Sequence, residues 1–191
     1  TTGETKLTTG GALSVSGVAS GALTVSSTGS ITQFGALKVA GATALTGASV
    51  SMADPANDFS GQVTVTAGAT AISDANDLKV LLTTGETKLS ARDSLSVSGV
   101  VSGALTASST AAITQFGTVK VTGATALSGA SVSVADPAND FSGVVTVTAG
   151  ITAISDTNDL KVSLATGETK LATGGALSLS GAVSGLSLIH I

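Results

Sequence analysis

Short segments in which apolar and polar residues alternate recur along the whole chain. In an extended strand successive side chains point to opposite faces, so apolar residues two positions apart share one face. The apolar pairs are Leu37 and Val39, Val63 and Val65, Leu78 and Val80, and Leu95 and Val97. The polar residues between them are Lys38, Thr64, Lys79 and Ser96. The pattern therefore predicts short strands with one buried face and one outward face.

Segments rich in Gly, Ala, Ser, Asn and Asp separate these strands, as in AGATALTGAS at 40–49 and SDANDL at 73–78. Such residues favour tight turns, because Gly accepts positive φ and Asn or Asp side chains bond the turn backbone. Charged residues make up only 10% of the chain and aromatic residues 2%, whereas apolar residues make up 42%. This composition is poor for a helical core and too apolar for disorder, so we predict an all-β fold.

A long internal repeat organises the chain. The nonapeptide ADPANDFSG occurs at 53–61 and again at 135–143. The copies span 1–82 and 83–164, and a partial third copy spans 165–185. The first two copies are identical at 64 of 82 positions. Self-similarity at a fixed period predicts stacked structural units, here one continuous solenoid.

Each unit is long enough to contain several smaller coils. One division starts coils at ITQFGALKVAG (31–41), FSGQVTVTAG (59–68) and ETKLSARDSLSVSG (86–99). This division gives three coils of about 27 residues each, whereas four coils of about 20 residues fit the period equally well. Either division predicts parallel strands stacked about 4.8 Å apart around a narrow interior of Val, Leu, Ile and Ala.

Two further expectations follow from comparing the copies. Each copy has two phenylalanines at matching positions, and we expect all four to fill the core or to stack at turns; they are Phe34, Phe59, Phe116 and Phe141. The copies differ most where TTGGA (8–12) is replaced by SARDS (90–94), which introduces Arg92 and Asp93. We predict an exposed turn there.

The segments NDFSGQVTVTAGATAISDANDLKV (57–80) and NDFSGVVTVTAGITAISDTNDLKV (139–162) resemble the strand repeats of large bacterial exoproteins of the filamentous-haemagglutinin-like and autotransporter-passenger group. The resemblance implies a right-handed parallel β-helix that is exported to the outer-membrane surface or the extracellular space. It implies a stalk or adhesin segment that meets a host-cell or matrix surface. The alternative is a module that binds a glycan or a protein through its exposed turns.

Composition argues against several other classes of function. The pI of about 4.6 and the eight scattered Lys and Arg residues do not suit nucleic-acid binding. No run of about 18 apolar residues is present, so we expect no membrane-spanning helix. Without Cys, Trp or Tyr, and with a single His, the familiar pairs of nucleophile and base and the aromatic sugar platforms of carbohydrate-cleaving enzymes are missing. We expect no enzymatic activity, no catalytic residues and no cofactor.

Acidic residues and asparagines form two clusters in each unit. They are Asp54, Asn57 and Asp58, then Asp74, Asn76 and Asp77, repeated as Asp136, Asn139 and Asp140, then Asp156, Asn158 and Asp159. Such oxygen-rich turns suit calcium, but neither known loop pattern for this ion is present. We therefore interpret the clusters as turns in which the side chain bonds a backbone N–H two residues on, with no metal site.

Threonine pairs suggest a third surface function, ice binding, which requires a regular ladder of T-x-T segments. TVT occurs at 64–66 and 146–148. We expect Lys38, Lys79 and Ser96 at the equivalent outward positions, which would interrupt such a ladder.

The hexapeptide LSLIHI (186–191) departs from the repeat and contains the only histidine, His190. It resembles the translation of CTG TCT CTT ATA CAC ATC, a transposase adaptor used in sequencing libraries. We therefore predict that 186–191 derives from an adaptor. Neither end carries a polar cap, so we expect the isolated chain to associate end to end.

Overall fold

A computed structural model describes residues 3–190 of the chain, with side chains as far as residue 188. Every regular element in this range is a β-strand, which confirms the all-β prediction. The strands are β1 Thr5–Thr9, β2 Leu13–Ala19, β3 Leu23–Ser27, β4 Ser30–Val39, β5 Thr43–Thr46, β6 Ser49–Met52, β7 Asp58–Phe59, β8 Val63–Ala67, β9 Ala69–Asp74, β10 Leu78–Thr84, β11 Thr87–Ala91, β12 Leu95–Val101, β13 Leu105–Ser109, β14 Ala112–Val121, β15 Thr125–Ser128, β16 Ser131–Val134, β17 Asp140–Phe141, β18 Val145–Asp156, β19 Leu160–Thr173 and β20 Leu177–His190. Among these residues there is no helix of the length and apolarity that a bilayer crossing requires.

All pairings between the strands are parallel. Most of them form two ladders that run along the molecule, and the short strands β7 and β17 pair with the C-terminal ends of β4 and β14. The first ladder joins β1, β3, β5, β8, β10, β12, β14 and β16 and continues into the C-terminal halves of β18, β19 and β20. The second joins β2, β4, β6, β9, β11, β13 and β15 and continues into the N-terminal halves of β18, β19 and β20. The chain alternates between the ladders, so it is a parallel β-solenoid. Its right-handed winding stays a prediction from the resemblance.

The turns of the solenoid are short. In four successive turns the first ladder passes from Thr5 to Leu23, Thr43, Val63 and Val80. The division into coils of about 27 residues is therefore wrong, and the alternative of about 20 residues is nearer. The longer division counted residues 31 to 58 as one coil. Ile31 instead pairs with Val50 in the next turn, and the irregular segment 53–57 lies within a turn rather than between turns.

The interior is a continuous column of small branched side chains. All eight residues of the apolar pairs are buried, from Leu37 to Val97, which confirms their predicted inward orientation. Phe59 and Phe141 are also buried, as expected. The other two phenylalanines do not fill the core, since Phe34 is 76% exposed and Phe116 is 39% exposed. Both lie where a strand bulges away from the core.

The sequence repeat does not match the turn of the solenoid. Strand β1 lies in the first ladder, whereas β11, its counterpart in the second copy, lies in the second ladder. Likewise β2 lies in the second ladder and its counterpart β12 in the first. One unit thus makes about four and a half turns. Identical features of consecutive units therefore face opposite sides of the molecule.

Ile191 and the side chains of Ile189 and His190, which the adaptor interpretation includes, lie outside the described residues. The backbone of β20 continues through His190 and pairs with β19 to Thr173.

Two equivalent glycines differ in what surrounds them. Gly17 and Gly99 both have positive φ, 112° and 110°. A Cβ on Gly99 would contact the backbone oxygen of Leu82 and lie 2.8 Å from its nitrogen, because another turn stacks there. A Cβ on Gly17 meets nothing within 4 Å.

We predict that Gly99→Ala lowers the free energy of unfolding by more than about 2 kcal/mol, since it combines positive-φ strain with a backbone clash. Gly17→Ala, the matched control, introduces the strain alone and costs about 1 kcal/mol. Urea denaturation followed by circular dichroism measures both. Equal losses of unfolding free energy for the two variants would contradict the stacking of β12 on β10.

Candidate functional site

The most irregular feature of each unit is a bulge in the strand that carries the exposed phenylalanine. Opposite β2, Val15 pairs with Gln33 and Gly17 pairs with Leu37, so residues 34–36 of β4 face the single residue Ser16. The second unit repeats this in β14, where residues 116–118 form the bulge. A bulge of this size removes backbone pairing and turns the local chain outward.

A buried asparagine replaces the lost backbone partners in the first unit. Asn57 is fully buried, and its Oδ1 accepts hydrogen bonds from the Leu37 backbone N (2.8 Å) and from Gln33 Nε2 (3.0 Å). Asn57 Nδ2 donates to Gln33 Oε1 at 3.0 Å and to the backbone oxygen of Met52 at 3.0 Å. We call this paired side-chain contact the amide lock. It ties the bulge to the segment 53–57, which we call the ADPAN loop.

The second unit contains the same amide lock. Gln115 Nε2 donates to Asn139 Oδ1 at 3.1 Å, and Asn139 Nδ2 donates to Gln115 Oε1 at 2.9 Å. Asn139 Oδ1 also accepts from the Val119 backbone N at 2.8 Å. Gln115 further donates to the oxygen of Gly117, within the bulge, at 3.0 Å. These bonds satisfy both amides and fix the backbone on either side of Phe116.

Sequence reasoning missed the amide lock and assigned Asn57 and Asn139 to turns in which the side chain bonds a backbone N–H two residues on. That assignment is wrong for both residues, because each side-chain oxygen accepts its bonds from residues 20 and 24 positions earlier in the chain. Alternation of apolar and polar residues carries no signal for a buried amide. The one available signal is the constant sequence spacing, which is the same between Gln33 and Asn57 as between Gln115 and Asn139.

Four aspartates of the same clusters form the predicted side-chain-capped turns, whereas Asp77 and Asp159 accept bonds from backbone N–H groups of the next turn instead. The backbone N of Ala56 donates to Asp54 Oδ1 at 2.9 Å, and that of Asn76 donates to Asp74 Oδ1 at 2.9 Å. Asp136 and Asp156 make the equivalent bonds in the second unit. In the described part of the chain no three acidic or histidine side chains converge on a point where a metal ion would sit.

Two of these aspartates are buried. Asp74 also accepts a bond from the backbone N of Phe59 at 3.0 Å, and Asp156 accepts one from Phe141 at 3.1 Å. Burial raises the pKa of both carboxyls above the ordinary value, although these backbone bonds act in the opposite direction. The neighbouring carboxylates Asp58 and Asp140 raise the pKa values further.

A cleft of about 470 Å³ lies beside the bulge of the second unit. It is lined by Thr114, Gln115, Phe116, Gly117, Ser133, Ala135 and Asp136. Thr114 and Ser133 are paired neighbours in adjacent turns, so their outward side chains lie side by side in the lining of the cleft. The Lys79 Nζ lies 4.6 Å from the centre of the Phe116 ring, a cation–π contact.

The outward threonines have different neighbours from those expected. One outward row of the first ladder is Lys6, Thr24, Ala44, Thr64 and Leu81, and the next is Thr8, Ser26, Thr46, Thr66 and Thr83. Lys38 and Lys79 therefore do not adjoin Thr64. The expectation that these lysines occupy the outward positions equivalent to Thr64 is wrong. Ala44 and Leu81 interrupt the row of Thr64, whereas the row of Thr66 carries a hydroxyl in five successive turns.

The turn that differs most between the copies is exposed, as predicted. Arg92 and Asp93 follow β11 and are solvent-exposed. The backbone N–H of Arg92 donates to the backbone oxygen of Asp74, in the previous turn, at 3.1 Å. The equivalent segment in the first unit, 8–12, is exposed at Gly10 and Gly11.

Comparison with known proteins identifies the repeats. The family model described as "Repeats of unknown function (DUF5649)" matches residues 2–66 and 67–148. No curated protein matches the chain, and no solved structure matches it.

We predict that Asn139→Ala destabilises the chain by about 3 kcal/mol, because it leaves the buried Val119 N–H without a partner and removes both side-chain bonds between Asn139 and Gln115. Asn158→Ala is the matched control, since Asn158 is exposed and its side chain makes one long bond to Asp140. We expect this control to cost about 0.5 kcal/mol or less. Urea denaturation measures both, and similar losses would show that the amide lock contributes little.

The raised pKa values predict a pH dependence of stability. A carboxyl whose pKa is higher in the folded state favours folding when it is protonated. That contribution is complete below the unfolded-state pKa and is lost as the pH rises through the folded-state pKa. The double variant Asp74→Asn/Asp156→Asn cannot ionise at these positions.

Relative to the unaltered chain, the double variant should therefore become more stable as the pH rises from 4 to 7. Urea midpoints at several pH values test this, and NMR titration of the two carboxyls gives their pKa values directly. A relative stability that does not change with pH would contradict the prediction.

Proposed function

Since the chain belongs to the family of DUF5649 repeats of unknown function, whose model covers most of it, we propose that it is a structural segment of a long, surface-displayed solenoid. The observation that carries the proposal is the unbroken pairing of both ladders from β1 to β20. Backbone bonding of this kind extends with each added turn and contacts only the neighbouring turns, so it suits a spacer of adjustable length.

We further propose that the chain is exported and lies outside the cell or on the outer-membrane surface, as the resemblance to haemagglutinin-like and autotransporter-passenger repeats implies. Its task there is to project adhesive regions towards a host-cell or matrix surface. Low charge and few reactive side chains favour a passive role over an enzymatic one. Absence of basic patches in the sequence argues against a nucleic-acid partner.

We also propose that the 191-residue chain associates end to end when it is isolated. Within the described residues β1 pairs only with β3, β2 only with β4, and β20 only with β19. Leu7, Leu13 and Leu177 pack against the core but remain partly exposed at these edges. Unpaired parallel edges with apolar side chains favour pairing with another chain.

The spacer role predicts a fixed increase of length with each unit. A chain in which the segment 83–164 is duplicated should be longer by about four and a half turns of about 4.8 Å each, a total of about 22 Å. Small-angle X-ray scattering or electron microscopy measures the rod length. An increase in width rather than length would contradict the role.

End-to-end association predicts a sedimentation coefficient that rises with protein concentration. Adding a charged capping coil at each end should restore a monomer, because it covers both unpaired edges. Light scattering of both forms provides the comparison. A stable monomer of the uncapped chain at all concentrations would contradict the proposal.

A further inference from the structure

We propose that the cleft beside Phe116 binds a ring of a carbohydrate, with the phenylalanine as the stacking platform. This assignment goes beyond the spacer role and does not depend on it.

The aromatic rings are exposed at positions where the chain departs from its regular pattern. Only four aromatic residues are present, and the two in the bulges point outward while the other two fill the core. An aromatic side chain held in solvent offers a flat apolar face whose negative quadrupole attracts polarised C–H groups. The apolar face of a sugar ring presents such C–H groups. Lys79 lies over one face of the Phe116 ring, so the ligand would use the other face.

Hydroxyl groups lie next to the ring of Phe116. In the first ladder one outward row runs through Lys79, Ser96, Thr114, Ser133, Ala153 and Lys170. Thr114 and Ser133 line the cleft, and neither side chain makes a hydrogen bond within the described part of the chain. Their hydroxyls are therefore available as both donors and acceptors, which is the capacity that sugar hydroxyls require.

Asp136 supplies a stronger acceptor at the rim of the same cleft. Its Oδ1 caps the ADPAN loop through the Ala138 backbone N at 2.9 Å, while its Oδ2 receives only a long contact of 3.5 Å from Thr118. That carboxylate oxygen retains lone pairs for a ligand hydroxyl, and a hydrogen bond to a charged acceptor is stronger than a neutral one.

The support of the ring is rigid before any ligand binds. The amide lock holds the backbone at Gln115, Gly117 and Val119, on both sides of Phe116. Gln115 uses its amide in these bonds, so it positions the ring rather than contacting the ligand. A fixed aromatic platform reduces the entropy lost on binding.

The chemistry of the cleft favours a carbohydrate over a protein partner. The cleft volume of about 470 Å³ lies within the usual range for small-molecule sites. A stable protein interface needs roughly 1,200 Å² or more of buried surface with a large apolar centre. One ring, a few hydroxyls and one carboxylate match a sugar unit with its apolar face and its surrounding hydroxyls.

The first unit carries only part of this arrangement. Phe34 projects from the bulge and Asp54 caps the ADPAN loop. The hydroxyl of Thr32, the counterpart of Thr114, donates to the backbone oxygen of Leu13 at 3.4 Å. Because Thr32 is engaged in this way, we assign the carbohydrate site to the second unit alone.

The test starts with an array of neutral and acidic oligosaccharides probed with the intact 191-residue chain. Isothermal titration with the best-bound oligosaccharide should then give one site per chain. Phe116→Ala should lose at least about tenfold in affinity, as expected when a stacking anchor is truncated. Phe34→Ala, which removes the other exposed ring, should keep the affinity.

Thr46→Ala is the matched control, since Thr46 is an exposed outward residue away from both bulges. It should leave the affinity and the stoichiometry unchanged. Circular dichroism verifies that the exposed-ring variants keep their β-structure. Binding to no oligosaccharide, or binding that Phe116→Ala retains in full, would overturn the proposal. The rod-length measurement is independent of either result.

Discussion

The structure depends on the hydrogen bonding of each strand to the strands one turn before and one turn after it. Parallel stacking satisfies the backbone of every inner turn, so the side chains only have to fill the column inside. The column is narrow, and most buried residues are accordingly Val, Leu, Ile or Ala. This geometry explains the low aromatic content better than any functional requirement does. Buried phenylalanines occur only beside the ADPAN loops, at Phe59 and Phe141.

Where the chain contains more residues than the ladder can pair, a side chain takes the place of the backbone. Asn57 Oδ1 accepts the hydrogen bond of the Leu37 N–H, which has no strand carbonyl in reach once the bulge intervenes. The same substitution occurs at Asn139. Because a buried amide with unmet bonds is costly, the bulge and the loop can exist only together. This coupling gives a physical reason for an asparagine at the same place in both units, at Asn57 and Asn139.

Much of the fold follows from local patterns in the sequence. The alternation of Leu37, Lys38 and Val39 determines which side chains are buried, because that choice depends on the strand alone. The partner of a strand is different, since it depends on how many residues each turn absorbs. Irregular segments such as 53–57 change that number without leaving a periodic trace, so the sequence left two turn lengths open and the neighbours of Thr64 were predicted wrongly. The exposed Phe34 and buried Asn57 reverse the usual preferences of their residue types, and no pattern of hydrophobicity could have located them.

The half-turn mismatch between the sequence unit and the solenoid links the number of units to the orientation of whatever lies beyond them. Adding or deleting a single unit reverses the side on which every later feature is displayed, whereas changing the number by two preserves it. Whether the number of units is odd or even therefore constrains how such an array can change in length. An array whose distal end must keep one orientation can gain or lose units only in pairs, whereas one that tolerates either side can vary by single units.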